Sequence, residues 1–287
     1  MADDVLFIGA GRMGALMARR LLDGGVALAV ADVVPAALEP FAARGVATAA
    51  HGADLLGTIV LTMLPTDRHV REALLGPGGA CTVRPRAVVI DMSTATPAHT
   101  RALAADLAAR GTVLLDAPVS GGMAGAGDGR LTTMVGGDAA ALARCLPILR
   151  LMCADVTRVG PVGSGHAVKA LNNYLSAATL WTATEALVIG RRLGLDAATM
   201  LAVWSAGSGR SHATEVKLPR HVVTGTLDFG QSLELFCKDI AIAAELARET
   251  GTTTPALDHL LALWRSARDT LGPQADITRI EPLLDDR

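Results

Sequence analysis

The stretch VLFIGAGRMGALMARRLL, residues 5–22, runs from a short apolar segment through a glycine turn into an Ala/Leu/Arg-rich helical pattern. Its glycines, Gly9, Gly11 and Gly14, stand in the spacing G-x-G-x-x-G. Each answers a separate demand: Gly9 permits the tight turn, Gly11 lets the backbone approach a pyrophosphate, and Gly14 lets helix and strand pack closely. The whole turn, Gly9, Ala10, Gly11, Arg12, Met13 and Gly14, is therefore the expected seat of a dinucleotide. About 20 residues further on, the next strand-like run, VALAVAD (26–32), ends in Asp32, where a carboxylate can accept hydrogen bonds from an adenosine ribose. The same carboxylate repels a 2′-phosphate, and the following residues, VVPAA, bring no Lys or Arg. The expected cofactor is NAD, with NADP less favoured.

Outward from this stretch, apolar runs recur at 58–64, 87–93, 112–119 and 131–137, most of them separated by helix-length segments. Buried-type strands alternating with helices point to an α/β fold with a Rossmann-type, doubly wound, mostly parallel sheet. From about residue 165 the pattern is nearly all helical, punctuated by turn signals at LGLD, SAGSGRS, TGTLDFG and ETGTTTP. The expected division is a dinucleotide-binding domain over 1–163 and an all-helical substrate and oligomerisation domain over 164–287. A long helix is expected to start near Ser164 and join them, with the site in the cleft between.

Composition narrows the function. Of 287 residues, 51% are hydrophobic and only 3% aromatic, so the core must be built largely from Ala, Val, Leu and Ile. The net charge is −2 and no basic block is visible, which argues against a nucleic-acid partner. No uninterrupted apolar segment approaches the roughly 20 residues that span a bilayer, and the acidic start is unlike a signal peptide; a cytoplasmic protein with no membrane partner is expected. Cys81, Cys145, Cys153 and Cys237 are scattered and read as reduced, buried thiols, and no His spacing suits a metal.

Lys169, Asn172, Asn173 and Ser176 fall on one face of a helical run, GHAVKALNNYLSAATL (165–180), and that face turns apolar again at Leu180, Ala183 and Leu187. Such a local polar patch belongs either to a tilting helix whose first turns surface, or to a site.

At this point GAGRMG, TMLP (62–65), DMSTATP (91–97), DAPVSGGMAGAGDGRLTTMVGG (116–137), GSGHAVKALNNYL (163–175) and CKDIAIAAELARETGTTTP (237–255) stand in order. With these motifs the chain resembles the β-hydroxyacid dehydrogenase family over nearly its whole length. The resemblance implies that Leu64 and Pro65 lie against the cofactor and that Thr94 reaches the nicotinamide side. It implies that Ser120, Gly121 and Gly122 hold the substrate carboxylate, that Lys169 is the catalytic lysine, and that Asn173 orients substrate. Lys238 would lie near nicotinamide and substrate, beside Asp239.

The residue chemistry is consistent with those roles. A serine hydroxyl with two glycine N–H groups suits a carboxylate, although a tight turn leaving a strand has the same composition. Lys169 and Asn173 reach one small ligand, the amine exchanging a proton with a hydroxyl while the amide fixes it. An amine with an ordinary pKa of about 10.4 needs that value lowered to act as a base, through burial and nearby positive charge. The implied reaction is hydride transfer between NAD and the β-hydroxyl carbon of a short hydroxycarboxylic acid, in a homodimer or homotetramer. Imine reductases and non-catalytic NAD-binding proteins are the rivals; Lys169 argues against the first, and Lys169 with Asn173 against the second. The segment WSAGSGRSHATEVKLPRH (204–221) departs from the family pattern. There His212 and Glu215 either reshape the substrate pocket or form a solvated face, and Arg210 caps a helix or meets a carboxylate.

Overall fold

The computed structural model describes residues 4–83 and 86–285. The chain divides into two compact units, Met1–Lys169 and Ala170–Arg287. The division falls six residues after the expected boundary at 163/164, because the first turn and a half of the long helix belongs to the N-terminal unit.

In the N-terminal unit the strands are β1 (Val5–Ile8), β2 (Leu28–Ala31), β3 (Ala47–Ala49), β4 (Ile59–Thr62), β5 (Val88–Asp91), β6 (Val113–Asp116), β7 (Val119–Ser120), β8 (Leu131–Gly136) and β9 (Cys153–Gly160). They form one sheet in the order β3-β2-β1-β4-β5-β6-β8-β7, with β9 paired to β8. The first six strands of that order run parallel, with crossovers on both sides of β1, which is the doubly wound arrangement. β8 runs antiparallel to β6 and β7 and parallel to β9.

The expected strand over 112–119 is two strands. Pro118 has no N–H for the ladder, so β6 ends at Asp116 and the chain resumes as β7 on β8. β3 and β9 were not expected, β3 being three small residues and β9 an edge strand that carries Asp155 and Arg158.

Strand residues alternate between two cores, as a period of two requires. Val5, Phe7, Ile59, Leu61 and Ile90 pack with Met17 and Leu21 of α1 (Arg12–Asp23), Phe41 of α2 (Pro35–Ala42) and, further along the sheet, residues of α5 (Gly122–Asp128) and α6 (Ala139–Leu149). Leu6, Ile8, Val60 and Val89 face the other way, onto Val70 and Leu74 of α3 (Asp67–Leu75) and Leu103 and Leu107 of α4 (Pro97–Ala108). Both faces are covered, which is why these strands read as continuous apolar runs.

The helix expected near Ser164 is α7 (Ser164–Arg192). From Ala170 it packs with α8 (Ala197–Ala206), a π-helical segment (Ala213–Val222), α9 (Leu233–Glu249), α10 (Pro255–Leu271) and α11 (Ile280–Asp285). Aromatic residues are few, yet they centre this unit. Trp264 is fully buried, with edge-on contacts to Trp181 at 5.1 Å and Phe236 at 4.8 Å between ring centroids. No helix among the described residues is long and apolar enough to cross a membrane.

Candidate active site

The glycine turn joins β1 to α1. Gly9 has φ +100°, a conformation that favours glycine, and a Cβ on Gly14 would strike the Gly9 carbonyl and come within 3.1 Å of the Phe7 ring. A Cβ on Gly11 would meet nothing within 4 Å, so open space lies directly over the backbone there. Gly11 is the N-cap of α1 and offers no capping side chain, and the first turn holds no acid. Backbone N–H groups at a helix start, a positive dipole end and open space together fit a pyrophosphate. Ala10 is buried, whereas Arg12 is exposed at the first helical position and Met13 is half-buried.

Asp32 follows the end of β2 beside this turn. One carboxylate oxygen accepts the Ala10 N–H at 2.6 Å and the other accepts the Val34 N–H at 2.8 Å. The acid therefore holds the turn, and its remaining lone pairs stay available to hydroxyl donors. Leu64, half-buried after β4, donates its N–H to Ser93 Oγ at 2.9 Å, and its side chain borders Gly9. Pro65 is exposed next to it, and Thr94, next to Ser93, is half-buried. The structure thus gathers Gly9, Leu64 and Ser93 at the carboxyl ends of adjacent strands.

A buried polar cluster absent from the sequence reading lies beyond β5 and β6. Asp91 and Asp116 are register partners at the ends of these strands, and both are buried. Asp91 Oδ1 accepts the Thr62 hydroxyl at 2.9 Å and the Ser93 N–H at 3.0 Å. Asp116 accepts the Gly163 N–H at 2.7 Å and the His166 N–H at 2.9 Å, and so caps α7. The His166 ring is fully buried, its Nε2 donating to the Ser93 carbonyl at 3.0 Å and its Nδ1 meeting the Thr100 hydroxyl at 2.7 Å. Burial pushes the Asp116 carboxyl above the usual carboxylate range, against the lowering effect of the His166 ring and of the backbone N–H groups of Gly163, His166 and Asp116 itself. Lys169 follows His166 by three residues and is itself buried.

Ser120 ends β7 half-buried, and Gly121 and Gly122 follow with φ +128° and +64°, both exposed. A Cβ at Gly122 would meet nothing within 4 Å. This is a turn leaving a strand, open over Gly122 and bordered at Gly121 by the Leu131 side chain.

In the helical unit, Asn173 donates from Nδ2 to Asp239 Oδ2 at 3.0 Å. Lys238 Nζ lies 3.4 Å from Asp239 Oδ1, so Asp239 on α9 joins Asn173 to the lysine of CKD. One turn along the same face of α7, Ser176 Oγ accepts from Lys217 Nζ at 2.9 Å. Arg210 and Glu215 pair with each other at 2.8 Å, which resolves the two readings of Arg210 in favour of a carboxylate partner. His212 packs edge-on against Phe229 at 6.3 Å.

A cavity of about 470 Å³ between α3 and α4 is rimmed by the ion pairs Arg71–Asp106 at 2.7 Å and His99–Asp67 at 2.6 Å. None of the glycine-turn residues borders it, and these rim charges are already matched. Among the described residues no group of His, Cys, Asp and Glu could hold a metal ion.

Comparison with known proteins places these features in context. Residues 4–160 match the family model described as the NAD binding domain of 6-phosphogluconate dehydrogenase, and residues 163–284 match that described as NAD-binding of NADP-dependent 3-hydroxyisobutyrate dehydrogenase. The chain is 34% identical to an NAD-dependent L-serine dehydrogenase of Pseudomonas aeruginosa, over 98% of this chain and 97% of that protein. It is 35% identical to a 2-(hydroxymethyl)glutarate dehydrogenase of Eubacterium barkeri, over 87% and 84%. Among solved structures, the Mycobacterium tuberculosis 3-hydroxyisobutyrate dehydrogenase with L-serine superposes with a TM-score of 0.90 at 30% identity, over 99% of both chains. A Streptomyces aurantiacus imine reductase, at 21% identity and a TM-score of 0.64 over 98% and 99%, shares the fold alone.

Proposed function

The chain belongs to the β-hydroxyacid dehydrogenase family, and from that premise we propose that it moves a hydride between NAD and the β-hydroxyl carbon of a short hydroxycarboxylic acid. The observation that carries the reading is the polar face of α7. Lys169 and Asn173 succeed each other by one turn, and Asn173 is held by Asp239, which also meets Lys238. A proton acceptor and an orienting amide on one rigid helix are what oxidation of an alcohol requires.

In the oxidation direction, Ser120, Gly121 and Gly122 bind the substrate carboxylate through a hydroxyl and two N–H groups. Asn173 orients the β-hydroxyl, and Lys169, in its deprotonated form, takes the hydroxyl proton as the C–H bond gives up its hydride. A nicotinamide held by the glycine turn and by Leu64, Pro65 and Thr94 would accept that hydride. The alcohol carbon becomes a carbonyl, and Lys169 carries the proton until it is released; in reduction the ammonium returns it. Lys238 adds positive charge beside Asp239.

We assign NAD rather than NADP to Asp32, whose carboxylate would oppose a 2′-phosphate, although one of the matching family models is described for an NADP-dependent enzyme. Gly9, Ala10, Gly11, Arg12, Met13 and Gly14 would take the pyrophosphate, with Leu64, Pro65 and Thr94 along the nicotinamide half. Names of relatives favour small hydroxyacids, among them L-serine and 2-(hydroxymethyl)glutarate. A cytoplasmic homodimer or homotetramer is the expected form, supported by four buried cysteine thiols and by exposed apolar residues such as Leu171, Leu175 and Ile189 on α7. Incubation of the purified protein with each nicotinamide cofactor and a panel of β-hydroxyacids tests the proposal. Formation of NADH with at least one acid supports it, and no cofactor reduction by any acid removes it.

A further inference from the structure

A lysine is buried against the polar face of α7. Lys217, on the π-helical segment, is only 3% exposed. Its Nζ donates to Ser176 Oγ and lies 5.0 Å over the Phe229 ring and 5.5 Å over the Phe236 ring. Burying an ammonium costs free energy, and a position that retains one calls for a use of the charge. The charge is felt locally: burial first, and then Lys217, depresses the pKa of His212. Ser176 follows Asn173 by three residues and Lys169 by seven, so all three lie on one face and Lys217 adds a cation at the next turn.

We infer that Lys217 and Ser176 receive a second carboxylate of the substrate, so that the acid oxidised is a hydroxymethyl-bearing dicarboxylate. This rests on the roles proposed above for Lys169 and Asn173. A carboxylate at this position takes a charge-assisted hydrogen bond from Nζ and another from the Ser176 hydroxyl, which is free to rotate toward it. Successive turns on one helix face are about 5–6 Å apart, a gap bridged by roughly four carbon–carbon bonds. That is the size of 2-(hydroxymethyl)succinate or 2-(hydroxymethyl)glutarate. A monoacid offers no acceptor to Nζ or to the Ser176 hydroxyl, and the charge-assisted hydrogen bonds it forgoes discriminate against it.

The test compares kcat/KM of the wild-type protein, with NAD, for those two dicarboxylates and for the monoacids 3-hydroxyisobutyrate and 3-hydroxypropionate. A preference of at least about tenfold for a dicarboxylate is expected. Lys217→Met should collapse that ratio and Lys217→Arg should keep part of it. Ser176→Ala, which leaves the buried lysine in place, should lower the ratio and serves as the second variant if Lys217→Met does not fold. Equal use of monoacids and dicarboxylates by the wild type overturns the inference while leaving the β-hydroxyacid reading intact. A ratio unchanged in Lys217→Met and Ser176→Ala overturns it by showing the lysine to be structural. Failure to oxidise either kind of acid removes both readings.

Discussion

Asp116 Oδ2 accepts the backbone N–H of His166 at 2.9 Å, so a carboxylate at the end of β6 caps the helix that carries Lys169 one turn later. Sheet and helix are joined again at His166 Nε2, which donates to the Ser93 carbonyl. Lys169 is thereby referred to the strand ends through buried hydrogen bonds rather than through a loop.

Asp116→Ala leaves the Gly163 and His166 N–H groups without their acceptor, and a loss of about 2–4 kcal/mol in urea unfolding is expected. The pH dependence has a definite sign. Burial raises the folded-state pKa of Asp116, so the native protein binds this proton more tightly than the unfolded chain. The associated stability is present below the unfolded value and is lost as pH rises through the folded one. The Tm difference between wild type and Asp116→Asn is therefore expected to be larger near pH 4 than at pH 7; a difference that grows toward neutral pH would contradict the assignment.

Asp32 bonds to Ala10, so Asp32→Ala is expected to loosen the glycine turn and weaken both cofactors in absolute terms. The ratio carries the test. Removing the acid removes a repulsive charge from the 2′-phosphate, and the ratio of kcat/KM for NADP over NAD should rise about tenfold or more. An unchanged ratio would show that Asp32 holds the turn and does nothing else.

Asn173 and Asp239 form one hydrogen-bonded unit in the helical part of the chain. Single Asn173→Ala and Asp239→Ala variants should each lower kcat/KM, and the double variant should fall short of their sum by about 0.5–3 kcal/mol. Strict additivity would mean that Asp239 acts independently of Asn173.

All four cysteines are buried, and burial pushes the Cys81 thiol up to about 11 and the Cys153 thiol up to about 12. The native protein at pH 8 should therefore be nearly inert to a thiol-specific reagent, with four equivalents reacting once it is denatured. Rapid titration of one thiol in the native state would show that its surroundings open readily.

The sequence makes legible what short-range rules dictate. The glycine turn could be read because G-x-G-x-x-G records backbone demands at fixed offsets, and β1, β2, β4 and β5 because burial on both faces leaves continuous apolar runs. β9 could not be, since an edge strand tolerates Asp155 and Arg158 and so has no apolar pattern. Asp116 and His166 are 50 residues apart, His166 and Thr100 are 66 apart, and Lys217 and Ser176 are 41 apart. Nothing periodic connects such pairs; only the fold brings them together. A hint existed in the two strands that each end in aspartate, VVID and VLLD, and in the histidine one turn before Lys169.

The most direct test of the central claim is steady-state turnover of Lys169→Ala, with NAD and the best β-hydroxyacid found for the wild type, alongside NADH binding measured by fluorescence. General acid–base groups contribute about 10²–10⁴ in rate, so kcat should fall by that factor while the NADH dissociation constant stays within about threefold. Turnover within tenfold of the wild type, with binding intact, would contradict the assignment of proton transfer to Lys169 and with it the mechanism proposed for this chain.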